Sequence, residues 1–243
     1  MTVETMRRDA CATLPHGKTR SLSRKMGSKK VGHCGTLDPM ATGLLILCVG
    51  KATKMVESFT GMDKCYTGTI KLGEGTPSQD ADTEVEETAP WAHITDEALT
   101  AGARAMVGEL AQVPPMYSAI KVKGERLYKA ARRGETVERK ERRITVNAFE
   151  VTRDEVDEQL VHFRVDCSKG TYVRTLAYDL GKSLGSTAHL IALRRESIGE
   201  HDVKDAWTVE QLVEACQPMM VEAEAARAAQ REEAQMAKPA RAK

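Results

Sequence analysis

Residues 29–54 read KKVGHCGTLDPMATGLLILCVGKATK. A loop crowded with Gly32, Gly35, Pro39 and Gly43 is followed at once by 44–49, the longest uninterrupted apolar run of the chain. Glycine permits positive φ and close backbone approach, and proline stiffens the exit of a turn. One carboxylate, Asp38, stands in that loop. The run after it, bounded by Gly43 and Gly50, reads as a buried strand. A carboxylate on a loop carried by a rigid strand is how catalytic groups are often mounted. The plainer alternative is an Asp-Pro turn with Asp38 as its former. These residues alone leave both readings open.

The rest of the chain narrows the setting. Its 243 residues suffice for a sizeable core in one large domain. Aromatic residues are only 4%, which argues against a stacking platform of many rings. The formal net charge of +1 hides a segregation. Residues 1–31 carry Arg7, Arg8, Lys18, Arg20, Arg24, Lys25, Lys29 and Lys30 against Glu4 and Asp9, and 121–143 carry ten Lys or Arg against four Glu. Between them, 74–97 hold eight acids and no Lys or Arg. Two basic segments around a candidate site can form an electropositive face for a nucleic-acid backbone. Solvated faces are the equal alternative. The six cysteines show no CxxC spacing, so no zinc site is signalled. Cys48 and Cys167 read as reduced core residues, and a reducing compartment is expected. No run is long enough to span a bilayer. The expected location is the cytoplasm. The basic, Ser/Thr-containing start faintly resembles a transit peptide, which makes a mitochondrion or plastid the alternative.

Periodicity supplies the elements. Residues 64–73 read as a strand with Tyr66, Gly68, Ile70 and Leu72 on one face, and 74–90 as an acidic loop. Thr95, followed by Asp96 and Glu97, starts a helix expected to end near Gly108. A strand near 117–122, a short basic helix over 125–133 and a β-rich stretch at 144–152 follow. QLVHFRVDC (159–167) alternates cleanly, with Val161, Phe163, Val165 and Cys167 on one side. Val173, Leu176, Ala177, Leu180 and Leu184 recur at helical spacing. HLIALRR (189–195) is a further strand, and Thr208 with Gln211 forms a capping-box pattern. Strands and helices in irregular order imply an α+β fold. The expected organisation is an atypical basic segment at 1–28, one domain over 29–217 and a charged, Ala-rich tail at 218–243.

Taken whole, 32–54 resembles the signature of the tRNA pseudouridine synthase B family, the pseudouridine-55 synthases, of bacterial type. The resemblance continues in PPMYSAIKVKGERLYKAARRG (114–134), CSKGTYVRTLAYDLGKSLG (167–185) and AHLIALRRESIGEH (188–201), in family order. It implies the pseudouridine synthase fold, a large mixed and mostly antiparallel sheet flanked by helices. It implies isomerisation of a uridine in the TΨC arm of tRNA, at position 55, with neither cofactor nor metal. The implied partner is RNA, with no membrane, and the expected state is a monomer.

The same resemblance assigns roles. Asp38 matches the catalytic aspartate, as nucleophile or as base. Tyr66 matches a tyrosine that stacks on the base and is implicated in removing the C5 proton; by itself it would read as a core residue. Arg174 matches the arginine that pairs with the aspartate, and Tyr172 lines the same pocket. His33 matches a histidine that fills the space left by an everted nucleoside, and Asp80 a carboxylate that contacts the base or its neighbours. Lys29, Lys30, Lys121, Lys123 and Arg126 are candidate phosphate contacts on the charge argument alone.

The chain departs from the family in two places. LPHGKTRS (14–21) is a weak remnant of a Lys-Pro-x-Gly-x-Thr-Ser segment, with Leu14 for the lysine and Arg20 for the serine, which puts the first strand and part of the RNA grip in doubt. In the acidic loop Pro77, Ser78 and Thr83 replace Asp, Thr and Gly. The residues after 212 are too few for the PUA domain of many bacterial members. A non-catalytic RNA-binding protein on the same fold is the competing expectation.

Overall fold

The computed structural model describes residues 3–8 and 30–212, and beyond these positions 214, 217, 225 and 229. The sheet is built around the apolar run. β1 (Val3–Arg8) and β2 (Val31–His33) both pair antiparallel with β3 (Thr42–Val49), whose residues 43–48 are buried. A 3-10 turn at Gly50–Met55 and α1 (Val56–Gly61) lead into β4 (Lys64–Leu72). The acidic stretch folds into a small ladder of β5 (Glu74–Gly75) with β6 (Glu87–Thr88). Then follow α2 (Asp96–Ala105), β7 (Gly108–Gln112), the hairpin of β8 (Lys121–Val122) and β9 (Glu125–Arg126), and α3 (Leu127–Ala131). β10 (Arg142–Arg153), β11 (Leu160–Cys167), α4 (Val173–Ser183), β12 (Ala188–Ile198) and β13 (His201–Asp202) complete the order.

The main sheet runs β1-β3-β12-β4-β11-β10-β7. Only the β3–β12 contact along that path is parallel. It brings Gly43, beside the carboxylate loop, opposite Arg195.

Local chemistry accounts for these elements. In β11, Val161, Phe163, Val165 and Cys167 are buried while His162 and Arg164 are exposed, the two-residue alternation of a half-buried strand. α2 starts where Thr95 accepts a hydrogen bond from the Ala98 amide, with Asp96 and Glu97 in its first turn. α4 turns Val173, Leu176, Ala177 and Leu180 inward. Gly181 lets it approach β12, because a Cβ there would stand 2.7 Å from the Ala188 nitrogen. Each fully buried Leu, Ile or Phe of this core contributes about 1.5–3 kcal/mol of apolar transfer.

Four boundaries differ from the sequence reading. α2 stops at Ala105, because Gly108 at φ 116° already opens β7. The strand expected near 117–122 shrinks to Lys121–Val122, since the Ser118 amide bonds back to the Met116 carbonyl in a turn. The expected helix over 125–133 begins only at Leu127. Residues 1–28 read as an atypical basic segment with the first strand in doubt, yet Val3–Arg8 pairs along its whole length with β3, from Val3↔Cys48 to Arg8↔Gly43. The non-alternating sequence VETMRR gave no periodic signal, and backbone pairing to an apolar neighbour carries the strand instead. The capping box closes as expected. The Thr208 amide donates to Gln211 Oε1 and the Gln211 amide to Thr208 Oγ1. Lys29, the 14–21 remnant and the 218–243 tail lie outside the described residues, apart from the backbone at 225 and 229.

Candidate active site

The carboxylate loop is held at both ends. The Cys34 amide bonds to the Ile46 carbonyl, extending the β2–β3 pairing, and the Ala41 amide bonds to the Asp38 carbonyl to close a turn. At Gly43, φ is 96° and a Cβ would lie 2.2 Å from the Arg195 carbonyl oxygen, so no other residue fits. Asp38 emerges with its side chain 32% exposed.

Arg174, in the first turn of α4 and 4% exposed, meets it. Nε donates to Asp38 Oδ2 and Nη2 to Asp38 Oδ1, each at 3.0 Å, a bidentate fork. Nη1 donates to the Ser78 carbonyl at 2.6 Å and Nη2 to the Tyr117 carbonyl at 2.9 Å. Asp80 Oδ2 stands 3.5 Å from Nε. A cation gains nothing from the dipole at a helix N-terminus; here two carboxylates and two carbonyls compensate it.

The acidic loop is shaped to supply two of those acceptors. Gln79 sits at φ 60°, a left-handed conformation uncommon for a residue with a side chain. That kink turns the Ser78 carbonyl and the Asp80 carboxylate toward one guanidinium. Ser78 Oγ donates to Asp80 Oδ1 at 2.5 Å, and the Asp82 amide donates to the same oxygen. Ser78 and Thr83, two of the positions that depart from the family pattern, bond to each other at 2.8 Å. Asp80, which the resemblance assigns to the base or its neighbours, is 2% exposed and lies against Arg174.

Tyr66 and Tyr172 flank the pair. Tyr66, on β4, is 9% exposed and belongs to the main buried cluster. Burial pushes its phenol above the usual tyrosine range, the nearby Arg195 opposes this, and the Asp38 charge raises it slightly. Tyr172 precedes α4. Burial raises its phenol too, against the nearby Arg142 and Arg174 charges. Its backbone is gripped by one side chain: Gln112 Nε2 donates to the Tyr172 carbonyl, and the Tyr172 amide donates to Gln112 Oε1. A cleft of about 590 Å³, lined by Met40, Thr42, Gly68, Phe163 and Leu193 among others, includes none of Asp38, Tyr66, Tyr172 or Arg174 in its walls.

Residues 23–173 match the family model for the N-terminal domain of the TruB family pseudouridylate synthases, and 174–231 match that for the tRNA pseudouridylate synthase B C-terminal domain. This chain belongs to the TruB family. It is 50% identical over 177 residues to the tRNA pseudouridine synthase B of Flavobacterium johnsoniae, covering 73% of this chain and 76% of that protein. It is also 50% identical over 195 residues to that of Opitutus terrae, covering 80% of each. Among solved structures, a chain of a crystallised Cbf5-Nop10-Gar1 complex superposes with a TM-score of 0.64 at 26% identity, over 87% of this chain and 53% of that one. The pseudouridine synthase fold expected from the sequence is the one observed.

The remaining candidates of this TruB family chain lie on two other elements. His33 ends β2 and is exposed, as is Lys30 just before it. Lys121 and Lys123 are exposed on the β8–β9 hairpin, with Arg126 half-buried opposite Lys121. The turn uses Lys123 at φ 50° and Gly124 at φ 86°, the two positive angles of a tight hairpin. Among the described residues no group of His, Cys, Asp or Glu is placed to hold a metal ion, and no helix is long and apolar enough to cross a membrane.

Sequence reasoning missed Arg195, Gln112 and the carbonyl acceptors of Ser78 and Tyr117. Arg195 did carry a signal. Strand alternation around Leu193 puts it on the buried face while its neighbour Arg194 turns outward toward Glu196. Gln112 and the carbonyls gave none, because they act through backbone geometry.

Proposed function

We propose that this chain converts uridine to pseudouridine in tRNA, at position 55 of the TΨC arm. The C1′–N1 bond breaks, the uracil turns over, and a C1′–C5 bond forms. Atoms and electrons balance within the one nucleotide, so the reaction asks for no redox partner.

The observation that carries this reading is the fork between Asp38 and buried Arg174 in a chain of this family. A guanidinium paired through two parallel bonds holds the carboxylate in one orientation. Asp38 then acts at the sugar, as nucleophile or as base. Arg174 orients it, and Asp80 with Ser78 fixes the far side of the guanidinium. Tyr66 acts at the base. The target must leave its stack, which costs a few kcal/mol. His33, exposed at the end of β2, enters the vacated space. Lys30, Lys121, Lys123 and Arg126 contribute phosphate contacts, which orient the RNA without reading its sequence.

The test incubates purified chain with unmodified tRNA transcript and maps pseudouridine. Conversion at one T-arm uridine, lost in Asp38→Asn, is the expected result. Tight tRNA binding with no conversion by the natural sequence would overturn the enzyme and leave a binding protein.

A further inference from the structure

Arg195 is among the largest fully buried side chains, 1% exposed. Among the described residues it makes no ion pair with a carboxylate. Its Nε donates to the Leu44 carbonyl at 2.8 Å, and Nη2 reaches the Gly35 carbonyl at 3.4 Å. In the β12–β4 ladder it stands directly opposite Tyr66, and its charge opposes the rise that burial imposes on the phenol. A second cation, Lys64, is buried nearby and donates to the Thr60 and Met62 carbonyls.

A buried guanidinium without a counter-charge is an expensive way to fill a core, and an apolar side chain of similar length would pack there at lower cost. What the arginine supplies is a rigid set of donors that no apolar residue has. Those donors reach two parts of the site, the strand that carries the carboxylate loop and the start of that loop at Gly35, from the ladder position that faces Tyr66.

Building on the proposed uridine isomerisation, we propose that Arg195 is a positioning residue, tying the Gly35 end of the Asp38 loop to the sheet position opposite Tyr66 and so keeping both groups in one frame. It touches neither sugar nor base, and acts through the two groups that do. Displacing a reacting group by about 1 Å costs on the order of 100-fold in rate.

The experiment measures single-turnover conversion and tRNA affinity for the full chain and for Arg195→Met, Arg195→Lys, Tyr66→Phe and the Tyr66→Phe/Arg195→Met double variant. Arg195→Met is expected to slow conversion about 100-fold with affinity changed less than about threefold. Arg195→Lys, which keeps charge and donors, is expected to recover part of that loss. On the Tyr66→Phe background, Arg195→Met should add only a small further loss, because its route through the phenol is already cut. Fully additive losses, an effect confined to affinity, or an unchanged rate would each overturn the positioning role while leaving the isomerisation intact. A natural chain that converts no uridine overturns both. Should Arg195→Met fail to melt cooperatively, Arg195→Lys takes its place in the cycle, and the same additivity criterion decides.

Discussion

Two arginines of this chain each bind two carboxylates. Arg133, after α3, holds Glu125 through both terminal nitrogens at 2.8 and 2.9 Å and reaches Glu135 at 2.8 Å. Arg174 holds Asp38 and lies against Asp80. Stoichiometry and distances are alike, and burial differs. The Arg133 side chain is 47% exposed and Arg174 4%. In water such a pair is worth about 0–1 kcal/mol and is screened by salt. In the interior, removing one partner strands a charge and costs about 3–5 kcal/mol. The exposed cluster can therefore yield its ions to a phosphate, whereas the buried one fixes a geometry.

The largest effect expected is at Asp38. Asp38→Asn should abolish conversion, by a factor of about 10⁴ or more, with tRNA affinity near the natural value; measurable turnover would show that the buried cluster is merely structural. Next comes Arg174→Ala, expected to lower stability by about 3–5 kcal/mol in urea unfolding because Asp80 is left buried beside Ser78. Arg174→Lys restores the charge without the fork and should recover stability more than turnover. A milder effect concerns the buried thiols. Burial pushes Cys34 and Cys65 up to about 12 from an ordinary 9. The folded state therefore keeps protons that the unfolded chain loses. This stabilisation is complete below about pH 9 and is lost as pH rises toward 12, so the urea midpoint should fall between pH 8 and pH 10.5. A flat midpoint would argue that these thiols reach water. The smallest effect is Arg133→Ala, expected to change stability by less than about 0.5 kcal/mol. A loss equal to that of Arg174→Ala would erase the contrast between the two clusters.

What was legible in the sequence follows the same division. β3, β11 and α4 announce themselves through apolar run, alternation and helical spacing, because burial of one face dictates residue type. The partnership of Asp38 and Arg174 came from family resemblance, since nothing in local spacing joins residues 136 positions apart. β1 escaped because an edge strand can be held by its backbone. The resemblance assigned Asp80 a contact with the base or its neighbours; its place against Arg174, set by the turn at Gln79, left no signal in local spacing. Gln112 escaped because its amide imitates a peptide group, a role open to any glutamine that the fold happens to bring near.

The separation of Asp38 from Arg174 also bears on synthesis. A growing chain has made the aspartate long before the arginine that aims it, and β12, which seats Arg195 against the loop, follows later still. Contacts of such long range form slowly. Until the ribosome has delivered all three, the nascent protein is catalytically silent, and catalysis begins only once the whole sheet has closed.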